Sequence, residues 1–310
     1  MLAVRSTESG IRAVTVDRPS GPGVRLHIAA AGICGTDVSL AAMGLRDFTY
    51  GHEMAGTTPD GRAWAVEPLL YCGGCAECAS GNVQRCDAEG HGVLGIFRDG
   101  GMASEIVVPD STLLPLPGGL PVEDACLVEP GSVAWHGVRR AGLVAGERVA
   151  VVGGGSIGLL AAAASRRMGF EVDIEARYEH QARAAGKLGA GRPHGPYDVV
   201  IDAAGGPTAL ARCAELARPG GRVVVVSVYF ETASFPGPMS LVKELTYVNA
   251  MAYDHREGRR EFADVAAMLA DQPEIAETVI THRFPLAAAS EAFRVAADRS
   301  AGAIKVVLHP

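Results

Sequence analysis

Four cysteines, Cys72, Cys75, Cys78 and Cys86, fall within fifteen residues of the chain in the form C-x2-C-x2-C-x7-C. Thiolates at these spacings can close around one tetrahedral Zn²⁺ and leave no position for a substrate, which gives such an ion a structural role. The loop that carries them, CGGCAECASGNVQRC, has no evident core of its own. Structural zinc can contribute ~10–16 kcal/mol to folding, enough to order such a loop. The competing reading, a redox dithiol, needs a single C-x-x-C near a βαβ motif and leaves the other cysteines unexplained. A second set of soft donors is sparser: Cys34 in AGICGTDVSL and His52 in YGHEMAG, both beside glycines. Sulfur and imidazole suit zinc, and a site with three protein ligands keeps one position open for chemistry. On residue types alone, a buried thiol acting as a small hydrophobe is the alternative.

A third motif concerns phosphate. Gly153-x-Gly155-x-x-Gly158 follows the short apolar run RVAVV and opens a helical pattern at Ser156 and Ile157. Glycines let the backbone approach a pyrophosphate, and the helix N-terminus offers unpaired N–H groups and a positive dipole end. A glycine-rich structural turn is the plainer reading, and the strand before and helix after speak against it. The next strand, EVDIEAR, decides which dinucleotide fits, because an NAD-specific fold ends it in an acid for the ribose 2′-hydroxyl.

The elements that must position these groups change character along the chain. The first ~125 residues read as short strands, VRLHIAAAG among them, separated by Gly, Pro and Asp. From about residue 130 strands (ERVAVVG, EVDIEA, YDVVIDAAG, RVVVVSV) alternate with helices (SIGLLAAAASRRMG, QARAAGKLG, PTALARCAELA), which indicates βαβ units and a parallel sheet. The last ~60 residues, from about REGRREFADVAAMLA, hold two helices and a final strand, AIKVVLHP. A length of 310 residues suits two domains. Apolar residues at 48% and charged ones at 20% exclude a disordered tail or coiled coil. A formal charge of −7 leaves no basic footprint for nucleic acid. MLAVRSTESG lacks the apolar stretch of a signal peptide, and no window reaches the ~20 apolar residues of a membrane span. The expectation is a soluble, cytoplasmic protein, and clustered cysteines there point to metal.

GICGTD, GHE, the four-cysteine loop, LVEPGSVAWHG and VVGGGSIG occur here in one order. Together they resemble the zinc-dependent alcohol and polyol dehydrogenases of the medium-chain dehydrogenase/reductase superfamily, and the likeness runs down to THRFPL and GAIKVVL. The resemblance implies an α/β chain with a β-rich GroES-like catalytic domain, 1–130 and 252–310, and a Rossmann doubly wound parallel sheet, 131–251, with the active site in the cleft between them. It implies two zinc ions per chain, one catalytic and one structural. Cys34 and His52 match catalytic-zinc ligands. Glu53 matches a carboxylate that ligates directly in some members and not in others. Glu129 falls where some members place a cysteine ligand and sorbitol-type enzymes place glutamate. Cys126, three residues earlier, is a rival ligand and reads better as core. Asp37 matches the acid that orients the histidine ligand. Thr36 matches the hydroxyl that contacts the substrate oxygen and begins proton removal.

In the family's register the ribose acid is replaced by Ala176, and Arg177 follows. Loss of the acid and gain of a cation favour NADP(H) over NAD(H), since one charge-assisted contact is worth about 1.5–3 kcal/mol. A one-residue slip would instead make Glu175 the ribose acid and restore NAD. Lys305 matches a basic residue near the cofactor phosphates, with a plain surface lysine as its alternative. His180 and Arg183 could add charge and read better as a solvated helix face. The histidine that polyol-type members carry five residues after the first ligand is Ser39 here, and the stretch from Glu53 to Cys72 is about a dozen residues shorter than usual. His91, His194 and His282 match no motif. The expected reaction is reversible oxidation of a secondary alcohol (polyol, sugar or cyclitol-like) to its ketone by a homodimer or homotetramer. The alternatives are a zinc-independent enone/quinone-type reductase and a non-enzymatic dinucleotide-binding protein.

Overall fold

The computed structural model describes residues 1–256 and 258–310; Glu257, in the stretch that opens the C-terminal segment, lies outside them. The chain divides into two compact units, Met1–Glu129 with Asp254–Pro310, and Pro130–Tyr253.

The first unit is built on a seven-stranded sheet. Its backbone is the long strand Val24–Ile33, whose alternating apolar residues face a core that includes Leu26, Ile28, Tyr50, Met54, Met102 and Phe293. Glu53–Thr57 pairs with it antiparallel on one side and Lys305–His309 on the other, so Gly32 stands opposite both Glu53 and Val307. Glu105–Val108 also pairs with it, and Ala63–Val66, Leu113–Pro115 and Ile280–Pro285 complete the sheet. Glu53–Thr57 and Ala63–Val66 are joined by a tight turn. Gly61 adopts φ +84° there, and the Thr58 hydroxyl donates to Asp60 at 2.5 Å. That turn lies within the stretch from Glu53 to Cys72. The C-terminal segment differs from the sequence reading. It holds three helices, Glu261–Asp271, Glu274–Val279 and Ala289–Ala297, and a strand, Ile280–Pro285, before the last one. Polar or charged residues at Thr281, His282 and Arg283 leave the apolar period along ITHRFP too weak to read.

The second unit is a parallel sheet in the order Val172–Glu175, Val149–Val152, Tyr197–Asp202, Ala217–Val225, Thr246–Asn249. A full doubly wound sheet runs 3-2-1-4-5-6. Here the third strand is reduced to one bridge, Asp173 to Gly191, and the chain turns straight into Tyr197–Asp202. The contraction accounts for part of the short length. Strand Thr246–Asn249, too brief at four residues to show a period in the sequence, pairs at the opposite edge.

Candidate active site and metal centres

Three adjacent strands and one helix assemble the buried polar cluster of the first unit. Strand Val24–Ile33 delivers Cys34, which caps helix Gly35–Ala42. Asp37 closes that cap by accepting the Cys34 N–H at 2.8 Å on Oδ2, while its Oδ1 faces His52 Nδ1 at 3.5 Å. Neither of those last two atoms has a hydrogen-bond partner among the described residues, though both are buried. His52 is placed by Gly51, whose φ of +100° and close approach to Met102 (2.5 Å from an added Cβ) tolerate no side chain. The ligand atoms of Cys34, His52 and Glu53 all lie within 4.8 Å of one another. Burial alone would lower the His52 pKa, but Asp37 and Cys34 beside it raise it well above the usual imidazole value. Thiol, imidazole and carboxylate at this spacing form a donor set that could hold a metal ion. Glu129, in the first turn of helix Val128–Arg140, stands outside that trio and is buried, with its pKa raised to about 7 mainly by desolvation. Thr36 is half-buried two residues after Cys34, in the first turn of the helix.

The four-cysteine loop is organised differently. Cys75 caps the four-residue helix Ala76–Ala79, and Cys86 ends the 3-10 turn Val83–Arg85. The Sγ atoms of all four cysteines lie within 4.8 Å of one another. Backbone N–H groups turn inward onto sulfur: Cys72 to Cys86 at 3.4 Å, Gly74 and Cys75 to Cys72 at 3.4 and 3.3 Å, and Cys78 to Cys75 at 3.4 Å. The N–H groups of Gly74 and Cys75 lower the Cys72 thiol to about 6. Donors aimed at sulfur, with four sulfurs at one point, fit a closed tetrahedral ion.

In the second unit the glycine turn has the shape a pyrophosphate needs. Gly153 takes φ +112°. An added Cβ at Gly158 would sit 1.8 Å from the Gly153 carbonyl oxygen, so this glycine lets helix Ser156–Arg167 pack down on the strand. At Gly155, the helix N-cap, an added Cβ would meet nothing within 4 Å. No side chain caps that terminus, and a helix N-terminus of this kind favours an anion. Ala176 packs on Gly154, and the Arg177 guanidinium lies over the Tyr178 ring at 5.6 Å. At the carboxyl end of Tyr197–Asp202, buried Asp202 accepts the N–H groups of Ala204 and Gly205 and the hydroxyls of Ser227 and Tyr229, tying together loops from two strands.

Residues 21–118 match the family model of the alcohol dehydrogenase GroES-like domain, and residues 171–308 that of the zinc-binding dehydrogenases. The chain is 31% identical over 299 residues to the L-galactonate-5-dehydrogenase of Escherichia coli K12, covering 86% of each protein. It belongs to the zinc-dependent alcohol and polyol dehydrogenases of the medium-chain dehydrogenase/reductase superfamily. The galactitol-1-phosphate dehydrogenase structure from Escherichia coli superposes with a TM-score of 0.88 at 26% identity, covering all of both chains. A zinc-binding dehydrogenase from Sinorhizobium meliloti 1021, solved with NADP bound, gives a TM-score of 0.84 at 28% identity over 100% of this chain and 99% of that one. The dehydrogenase is an oxidoreductase that moves a hydride between an alcohol and a nicotinamide cofactor.

One expectation for the dehydrogenase is corrected by its structure. Lys305 is neither a phosphate cation nor a surface lysine: it is 2% exposed, and its Nζ donates to both Glu53 oxygens at 2.6 Å and to the Ile33 carbonyl at 3.2 Å. A fully buried carboxylate needs a counter-charge, and the neighbouring strand supplies it. Cys126 lies in the core with Ala30 and Val307. Glu175, the rival ribose acid, is held by Arg212, a residue the sequence reading passed over. Gly32 was also missed: an added Cβ there would lie 2.0 Å from Glu53 Oε2, so the glycine makes room for the carboxylate. A glycine inside a strand was the available signal.

Proposed function

We propose that the chain oxidises a secondary hydroxyl of a polyol, sugar or sugar acid reversibly to the ketone, with NADP(H) preferred over NAD(H) and two zinc ions per chain. The observation that carries the reading is the convergence of Cys34, His52 and Glu53 within 4.8 Å in a buried cluster with Asp37 behind the histidine. Cys34 and His52 would hold the catalytic ion, with Glu53 or Glu129 as the carboxylate partner; Cys72, Cys75, Cys78 and Cys86 would hold the structural one. Zn²⁺, when bound, acidifies an alcohol and in the reverse direction polarises a carbonyl. Asp37 lies on the Nδ1 side of His52 and would orient the imidazole once an ion is bound. The Thr36 hydroxyl would accept a hydrogen bond from the substrate hydroxyl and release its own proton to water. Gly153, Gly155, Ser156, Ile157 and Gly158 cradle the pyrophosphate, while Ala176 leaves room for a 2′-phosphate and Arg177 pairs with it.

Sugar-acid and sugar-alcohol dehydrogenases among the relatives support the substrate class, and the NADP-bound neighbour supports the cofactor. An assembly of two or four chains is supported by exposed Phe235, Leu241 and Val242 beside the edge strand Thr246–Asn249. Among the described residues no helix is long and apolar enough to cross a membrane, which is consistent with the proposed cytoplasmic location. Metal analysis and a screen of polyols and sugar acids with both cofactors test the proposal. The expected result is two zinc ions per chain and faster turnover with NADP⁺. Absence of hydride exchange with either cofactor across the panel overturns it.

A further inference from the structure

The carboxylate most able to confuse the choice of cofactor is already occupied. Glu175 ends its strand, and its carbonyl accepts the N–H of Gly153, the first glycine of the phosphate-binding turn, at 2.9 Å. It immediately precedes Ala176, whose Cβ lies against Gly154. An unpaired glutamate at the end of this strand would stand where a dinucleotide fold carries its ribose acid. There it would act as a ribose acid toward NAD(H) and repel the extra phosphate of NADP(H).

Instead the Glu175 side chain is turned to helix Ala209–Leu216. Arg212 Nε meets Oε1 at 2.9 Å and Oε2 at 2.8 Å, and Nη2 meets Oε2 at 2.6 Å. The same guanidinium is fixed from the other side by Glu215, one helical turn on, at 2.8 Å. Two carboxylates on one planar fork leave it little freedom to let Glu175 go. Side-chain exposures of 40% for Arg212 and 35% for Glu175 mean that solvent screens the pair, so its value lies in where it puts the carboxylate and not in stability.

We infer that Arg212 is a positioning residue for cofactor choice: by clamping Glu175 against the helix it withholds a carboxylate from the adenosine 2′-position and keeps that corner open to a phosphate. This deepens the NADP(H) reading above and rests on it for its biological sense. Its test is a shift in a ratio, which does not depend on which cofactor the native protein prefers.

Dissociation constants for NADPH and NADH are measured by fluorescence titration of the metal-loaded protein, its Arg212→Gln variant, and the double variant Arg212→Gln with Glu175→Gln. In Arg212→Gln the ratio Kd(NADPH)/Kd(NADH) rises by about tenfold, the size of one released charge contact near a phosphate. The shift shrinks as salt is added, because the freed carboxylate is exposed. The double variant returns the ratio to the native value, since the amide neither repels phosphate nor serves as a ribose acid. A variant that is merely less well folded weakens both cofactors by the same factor and leaves the ratio alone; that outcome, or a double variant that fails to restore the ratio, overturns the inference. A native protein that prefers NADH while Arg212→Gln still raises the ratio overturns the NADP(H) reading and leaves the clamp standing. The native preference and the ratio shift therefore fail separately.

Discussion

The two metal-ready clusters of the first unit are built on opposite terms. The Cys34, His52 and Glu53 cluster is seated on a sheet: one residue ends a long central strand, one begins its neighbour, and Lys305 answers from the strand on the other side. Its members are buried or nearly so, and its charges are balanced by protein groups before any ion arrives. The four-cysteine loop has two-residue strands, Leu69–Leu70 and Gly92–Val93, at its base and only single turns of helix within. Cys72 is exposed, Cys75 and Cys78 are partly so, and Cys86 alone is buried. The first cluster is held together by the fold and would receive an ion ready-made; in the second, an ion would itself supply much of the order. A mixed donor set with an open position suits chemistry, and four sulfurs with none suit a staple.

The sharpest way to break that contrast is to remove one donor from each. His52→Ala should reduce turnover by about 10³-fold or more, the rate equivalent of several kcal/mol of lost Lewis-acid stabilisation. The protein should melt close to the native temperature and retain one zinc per chain. Cys78→Ser should do the reverse, losing one zinc and the amide-exchange protection of residues 72–92 while the Cys34 site keeps its ion. Metal analysis with hydrogen exchange reads both. If either substitution empties both sites, the two clusters are not independent and the contrast is wrong.

Next in size is the ion pair beneath the sheet cluster. Lys305→Met leaves Glu53 charged and unpaired at zero exposure, and breaking such a pair costs about 3–5 kcal/mol. Adding Glu53→Gln to Lys305→Met should recover most of the loss, which chemical denaturation measures. An equal cut anywhere in the cysteine loop's surface pairs, such as Arg85 with Glu77 at 3.7 Å, should scarcely register.

Much of this was legible in the sequence because the informative residues are those with few alternative uses. Four cysteines at fixed spacings have one economical geometry, and Gly153, Gly155 and Gly158 each match a distinct steric demand that the structure displays. What stayed hidden was pairing across long separations. Lys305 and Glu53 are 252 positions apart, and nothing local in GAIKVVL says that its lysine points into the sheet. Nothing local in PTALARCAELA marks Arg212 as the partner of Glu175, which sits on a different element. The brief strand Thr246–Asn249 and the strand Ile280–Pro285 carry too few alternating apolar residues to be seen without the neighbours they pair with.

The smallest effect concerns Glu129, and it distinguishes a fold-held cluster from an ion-held loop by acid titration. Desolvation raises its pKa from the ordinary 4.5 to about 7, with His52 and Lys305 pulling it down and Glu53 and Asp37 pushing it up. In the metal-free protein the folded state therefore holds a proton that the unfolded chain releases near 4.5. Between those two values the native state binds more protons than the unfolded one, so stability falls as pH rises. The contribution is fully present below about 4.5 and is lost as pH climbs through about 7, a span of roughly 3 kcal/mol at most. Chelator-treated native protein and Glu129→Gln, melted in parallel from pH 5 to pH 8, should diverge in that direction: the native protein loses ground on the variant as pH rises, because the amide never has to ionise in a buried site. Zinc should reverse the trend, since a cation beside the carboxylate favours its charged form. Parallel melting curves across the range would mean that Glu129 reaches water in the folded state, and the sheet cluster would then be less sealed than its buried geometry requires.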